Sequence, residues 1–108
     1  MKKLKLVGLK YDGGKFVGEL QPVGEVYVEN GRVKVGSPYP DLAKELLAEI
    51  EGAAYTEGFR IAPSLEEPGT RHKADDPRFL EALTYSDIWD KIFRGWKIDE
   101  MHSEIVEE

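Results

Sequence analysis

The densest group of chemically capable side chains lies between Arg71 and Asp76. Arg71, His72, Lys73, Asp75 and Asp76 place one imidazole, two cations and two carboxylates within six residues. Histidine suits proton transfer near neutral pH, so a catalytic site in the 64–76 loop would use His72, with Arg71 and Asp75 beside it. The structural alternative is that Asp76 caps a helix and its charged neighbours belong to a solvated loop.

The same loop predicts a surface position for His72. It is polar and has no apolar anchor beyond Leu65. We therefore expect His72→Ala to change the free energy of unfolding by no more than about 0.5 kcal/mol, as for a surface substitution.

A metal site would need ligands from distant parts of the chain. His72 and His102 would suit zinc or iron if carboxylates joined them. The carboxylates available near the first histidine are those of Glu66, Glu67, Asp75 and Asp76. The histidines lie thirty residues apart, however, without HxH or HxxxH spacing, and the chain has no cysteine. The sequence therefore predicts no metal and no cofactor.

Motifs for nucleophilic catalysis or nucleotide binding are absent from the sequence. No serine lies in a G-x-S-x-G elbow, and neither GxGxxG nor GxxxxGK[ST] occurs. Gly13-Gly14 has the character of a hairpin turn. No motif links the sequence to a known family.

Cations and an aromatic ring alternate along the predicted sheet, which is one arrangement that stacks single-stranded bases. The candidate residues are Lys5, Tyr27, Arg32 and Lys34. Glutamates on the same face favour cross-strand ion pairs instead. Residues 41–108 carry eight basic and seventeen acidic side chains, which argues against nucleic acid as a partner.

A large apolar stripe near the C-terminus predicts either core packing or an interface. Aromatic side chains are enriched at interaction hot spots. The stripe's candidate interface residues are Trp89, Ile92, Phe93 and Trp96. Other elements already cover one another's apolar faces, so self-association through this stripe is the interface hypothesis.

The elements that position these residues are clearest around Asn30-Gly31. Asn-Gly between two alternating runs predicts a two-residue hairpin. Counting outward places Val28 opposite Val33 and Val26 opposite Val35, all on the buried face.

The rest of the pattern predicts an α+β fold. Two strands joined at Asp12-Gly13-Gly14 precede the hairpin, with a bulge near Val7-Gly8 and a turn at residues 21–24, which gives a four-stranded antiparallel meander. A helix over 41–51 packs on it, and residues 59–61 form a possible short fifth strand. Two short C-terminal helices follow, broken between Thr84 and Asp87 because their apolar faces point in opposite directions. The acidic tail over 97–108 is expected to fray.

Size and composition set the remaining expectations. A chain of 108 residues suits a single domain over 1–108, and its apolar runs are too short to span a bilayer. Without a signal-peptide pattern we expect a cytoplasmic location. One Asn and one Gln against fourteen Glu and ten Lys favour a thermophilic source. The leading hypothesis is a non-catalytic interaction or assembly module, either a homodimer or a small subunit of a complex. The alternatives are an enzyme using His72 and a single-stranded nucleic-acid binder on the sheet face.

Overall fold

The sheet is built around the two longest strands of the chain. The structure is a computed structural model that describes residues 1–61 and 69–108. Strand β1 (Lys2–Asp12) turns at Gly13 and Gly14 into the antiparallel strand β2 (Lys15–Glu29). Both turn glycines have positive φ angles, 60° and 80°. Glycine adopts such angles freely, whereas residues with a side chain rarely do. β2 then turns at Asn30-Gly31 into β3 (Arg32–Gly36).

The β2–β3 hairpin confirms the register expected from its turn. Val28 lies opposite Val33, and Val26 lies opposite Val35. Val26 and Val33 are buried, while Val28 and Val35 are partly buried against the same core.

The predicted turn over residues 21–24 is wrong, and with it the four-stranded meander. β2 runs through this segment as one strand, so the first 36 residues form three strands. The register between β1 and β2 shifts after Leu6 and again after Gly8, and in both places the extra residues belong to β2. The first shift turns Val23 into the core, where it is fully buried, without ending the strand. The expected irregularity near Val7-Gly8 is therefore a bulge of the neighbouring strand.

Helix α1 (Pro40–Ala54) covers the valine face of the sheet, as predicted. Proline in its first turn and Asp41 beside it favour the start of the helix. The buried stripe of α1 consists of Leu42, Leu46, Ile50 and Ala54.

The C-terminal half confirms the predicted break but not the second helix. Helix α2 (Phe79–Thr84) ends at Thr84. The hydroxyl of Ser86 then accepts the N–H of Ile88 and caps a 3₁₀ helix over Asp87–Asp90. The chain then forms a hairpin of β4 (Ile92–Phe93) and β5 (Trp96–Ile98). The turn between these strands is Arg94-Gly95, in which both residues have positive φ. Gly95 therefore closes a hairpin within the region where the sequence predicted a second C-terminal helix.

The acidic tail over 97–108 is paired with the sheet, so the expectation that it frays is wrong. Ile98 of β5 lies opposite Gly8, and β6 (Glu104–Glu107) lies along the start of β1. The fold is thus α+β, with a six-stranded antiparallel sheet in the order β3-β2-β1-β5-β4 and β6 beside β1. Of the possible fifth strand at 59–61, the described part of the chain shows one bridge, between Phe59 and His72. Across residues 1–61 and 69–108, no helix has the length and apolar character needed to cross a membrane.

Candidate functional site

His72, the leading catalytic candidate, is a buried structural residue. It is 5% exposed, and its backbone N–H and C=O both pair with Phe59 at 2.8 Å. Its Nδ1 atom lies 2.7 Å from Oδ2 of Asp76, whose other oxygen accepts the N–H of Arg78. That N–H and, less strongly, the imidazole lower the pKa of the Asp76 carboxyl from its ordinary value. The expected surface position of His72 is therefore wrong.

Sequence reasoning missed this burial because no apolar pattern marks it. Arg71, His72, Lys73 and Ala74 alternate between exposed and buried, as an extended segment does against a core. The alternation is hidden because the inward-facing residue is a polar histidine. The other part of the predicted loop, residues 64–68 with Leu65, Glu66 and Glu67, lies outside the described residues.

The residues proposed to act together with His72 do not form a catalytic group with it. Asp75 is exposed, and Arg71 donates from Nε to the backbone carbonyl of Glu57 at 3.1 Å. His102 is also exposed and has its own carboxylate partner, Asp99, at 2.8 Å. Within the described ranges, no three histidine, aspartate or glutamate side chains are grouped to hold a metal ion.

The cationic face of the sheet is largely neutralised by carboxylates. Lys5 lies 2.7 Å from both Glu25 and Glu108, and Lys3 contacts Glu25 at 2.9 Å while lying over the ring of Tyr27. Hydrogen bonds from Lys5 and then Lys3 lower the pKa of the Glu25 carboxyl.

The remaining cationic candidates for nucleic-acid binding on this face are Arg32 and Lys34. Arg32 lies over the ring of Tyr55, 5.6 Å from its centroid, and Lys34 is exposed. The arrangement favours cross-strand ion pairing over an open platform for bases.

The aromatic stripe expected at an interface belongs to the core of the chain. Trp89 and Phe93 are fully buried, and Trp96 is 5% exposed. The indole N–H of Trp89 donates to the carbonyl of Leu83 at 2.8 Å. Only Ile92 of the four candidates keeps substantial exposure. Trp89, Phe93 and Trp96 are thus corrected from interface residues to core residues. The β4–β5 hairpin pairs Phe93 with Trp96 and buries both, and Trp89 is buried in the 3₁₀ helix that precedes the hairpin.

A different apolar surface is exposed on the far part of the β1–β2 hairpin. We call residues 10–22 the arm. β3 ends where Gly36 meets Glu25, so in the described part of the chain residues 15–22 of β2 have a strand neighbour on one side only. Phe16 is 51% exposed and Leu20 is 39% exposed. The ring of Phe16 meets that of Tyr11 edge to face, with centroids 5.2 Å apart.

The backbone of Phe16 faces the open side of the arm. Asp12 and Lys15 flank the two-residue turn and form a hydrogen-bonded pair, so the next pair, Tyr11 and Phe16, directs its backbone groups outward. On the β3 edge the corresponding N–H, that of Val33, is satisfied by the hydroxyl of Tyr55 at 2.8 Å. The sequence reasoning missed the arm because the turn expected at residues 21–24 divided β2 into two strands.

No model of a known protein family matches the chain, and no match is found among curated proteins or solved structures.

Proposed function

We propose that this chain is a non-catalytic interaction or assembly module whose contact surface is the arm. The observation that carries the proposal is the open edge at Phe16, where backbone donor and acceptor groups lie beside a half-exposed aromatic ring. An unpaired strand edge is a template for pairing with another strand. Backbone hydrogen bonds then supply affinity, and the flanking side chains supply specificity.

A second copy of the chain is the partner that we propose first. The arm carries Lys10, Lys15, Asp12 and Glu19, two charges of each sign, so two arms can approach without net repulsion. A two-fold axis at Phe16 would pair the N–H of each copy with the carbonyl of the other and place the two rings side by side. Such isologous contacts are the commonest form of self-association. Assembly as a small subunit would use the same edge against a strand of another protein.

A protein partner agrees better with the charges than nucleic acid does. The chain has a net charge of −6, and the described lysines Lys3 and Lys5 are engaged by Glu25. We also propose a source that lives at high temperature, which the presence of one Asn and one Gln supports, and a cytoplasmic location. A midpoint of thermal unfolding well above the range for mesophilic domains would support the high-temperature source. A midpoint within that range would oppose it.

Sedimentation velocity over a range of micromolar concentrations tests the proposal. The wild-type chain should show a dimer that becomes more populated with concentration, and Phe16→Glu should be monomeric. The two chains should unfold at similar midpoints when both are dilute enough to be monomeric. Met101→Glu is the matched control, since Met101 is 88% exposed outside the arm and the variant gains the same charge. A wild-type monomer throughout, or a dimer that both variants keep, would reject the arm as a self-association surface.

A further inference from the structure

A cleft of about 570 Å³ opens beside the end of α1, away from the arm. It lies between the segment that follows α1 and the connection from α2 to the 3₁₀ helix. Its described lining combines apolar side chains, Ala53, Phe59 and Ile88, with the polar ring of Tyr85. This volume lies within the range of small-molecule sites, and the polar groups could orient a ligand.

Two guanidinium groups line the same cleft. Arg60 is exposed and forms no ion pair with a carboxylate in the described ranges. Arg71 is fixed by the hydrogen bond that its Nε donates to the backbone carbonyl of Glu57. A terminal guanidinium nitrogen of Arg71 also lies 3.9 Å from the side-chain carboxylate of Glu57. Glu57 therefore offsets the charge of Arg71 and orients it, while Arg60 keeps its charge available.

We propose that this cleft binds a small organic anion, with a carboxylate or phosphate group held by Arg60 and Arg71. A planar guanidinium binds either group through paired hydrogen bonds. A flat apolar body on the ligand would lie against Tyr85 and Ile88, since the ring of Tyr85 is 51% exposed beside the cleft. Asp87 also lines the cleft, and its negative charge disfavours the bound anion.

Titration with benzoate, phenyl phosphate and neutral benzamide, followed by amide chemical shifts, tests this site. We expect saturable shifts at residues lining the cleft with both anions and not with benzamide. Whichever of benzoate and phenyl phosphate binds more tightly identifies the preferred head group, carboxylate or phosphate. Arg60→Gln should weaken binding about tenfold or more, the loss expected when a charged hydrogen bond is removed. Lys44→Gln, which removes an exposed positive charge elsewhere, should leave affinity within about twofold.

Two further variants separate this site from general charge effects and from the arm. Asp87→Asn should tighten anion binding, and Phe16→Glu should leave it unchanged. The proposal is overturned if neither anion shifts the cleft residues, if benzamide binds equally well, if Lys44→Gln weakens binding as much as Arg60→Gln, or if Asp87→Asn weakens binding. None of these outcomes depends on whether the chain dimerises.

Discussion

The Nδ1 atom of His72 lies 2.7 Å from Oδ2 of Asp76, and the backbone of His72 pairs with that of Phe59. These contacts connect the segment before residues 62–68, which contains Phe59, with the segment after them, which contains His72. His72→Ala should lower the free energy of unfolding by about 1–3 kcal/mol, because it removes a buried side chain and a hydrogen bond to a carboxylate. Urea denaturation measures the loss.

His102→Ala is the matched control for that substitution. His102 forms a similar bond to Asp99 but is exposed, so its removal should change stability by no more than about 0.5 kcal/mol. Equal losses in the two variants would contradict the structural role assigned to His72.

Acid should weaken the contribution of Asp76. The N–H of Arg78 and then His72 lower the pKa of this carboxyl, so the folded chain binds its proton less tightly than the unfolded chain does. The stabilisation is complete above the unfolded pKa of about 4 and is lost as pH falls through the lower folded value. Wild type should therefore be more stable than Asp76→Asn at pH about 6, and the difference should shrink below pH about 4. Asp75→Asn, at an exposed neighbour, should show no comparable difference at either pH, and a constant difference for Asp76→Asn would contradict the prediction.

Gly8 marks a close approach between β1 and β5. A Cβ atom there would lie 2.8 Å from the carbonyl oxygen of Lys97, inside contact distance. Gly8→Ala should destabilise the chain by about 1–3 kcal/mol, since the strands must separate to admit the methyl group. Gly52→Ala in helix α1 meets nothing within 4 Å and should stabilise the chain by about 0.5–1 kcal/mol. Thermal unfolding distinguishes the two, and a neutral Gly8→Ala would contradict this packing.

Tyr55 satisfies the outward N–H of Val33 on the β3 edge. Tyr55→Phe keeps the ring but removes the acceptor, so stability should fall by about 0.5–1.5 kcal/mol and the Val33 amide should exchange faster with solvent. Tyr85→Phe is the control, because the described part of the chain offers the hydroxyl of Tyr85 no hydrogen bond. Unchanged exchange at Val33 would show that Tyr55 does not protect this edge.

The parts of the fold that local sequence determines were predictable. Asn30-Gly31 dictates a two-residue turn, and the valines on either side then fix which face is buried. The stripe of helix α1 and the break after Thr84 follow equally from helical periodicity.

The errors arose where distant contacts decide the structure. Arg94-Gly95 closes a hairpin only because β5 can pair with β1, a partner more than eighty residues earlier in the chain. β6 is similarly stabilised by pairing with β1 and by contacts of Glu108 with Lys5. The candidate site failed for a related reason, since a polar residue such as His72 gives no sign that a distant Phe59 will bury it.

Amide hydrogen exchange at Phe16 tests the proposed role of the arm most directly, because its N–H faces the unpaired edge. We predict that this amide exchanges more slowly at millimolar than at micromolar protein concentration, while the Val33 amide, already bonded to Tyr55, is unaffected. Phe16 exchange that is independent of concentration would contradict self-association through the arm.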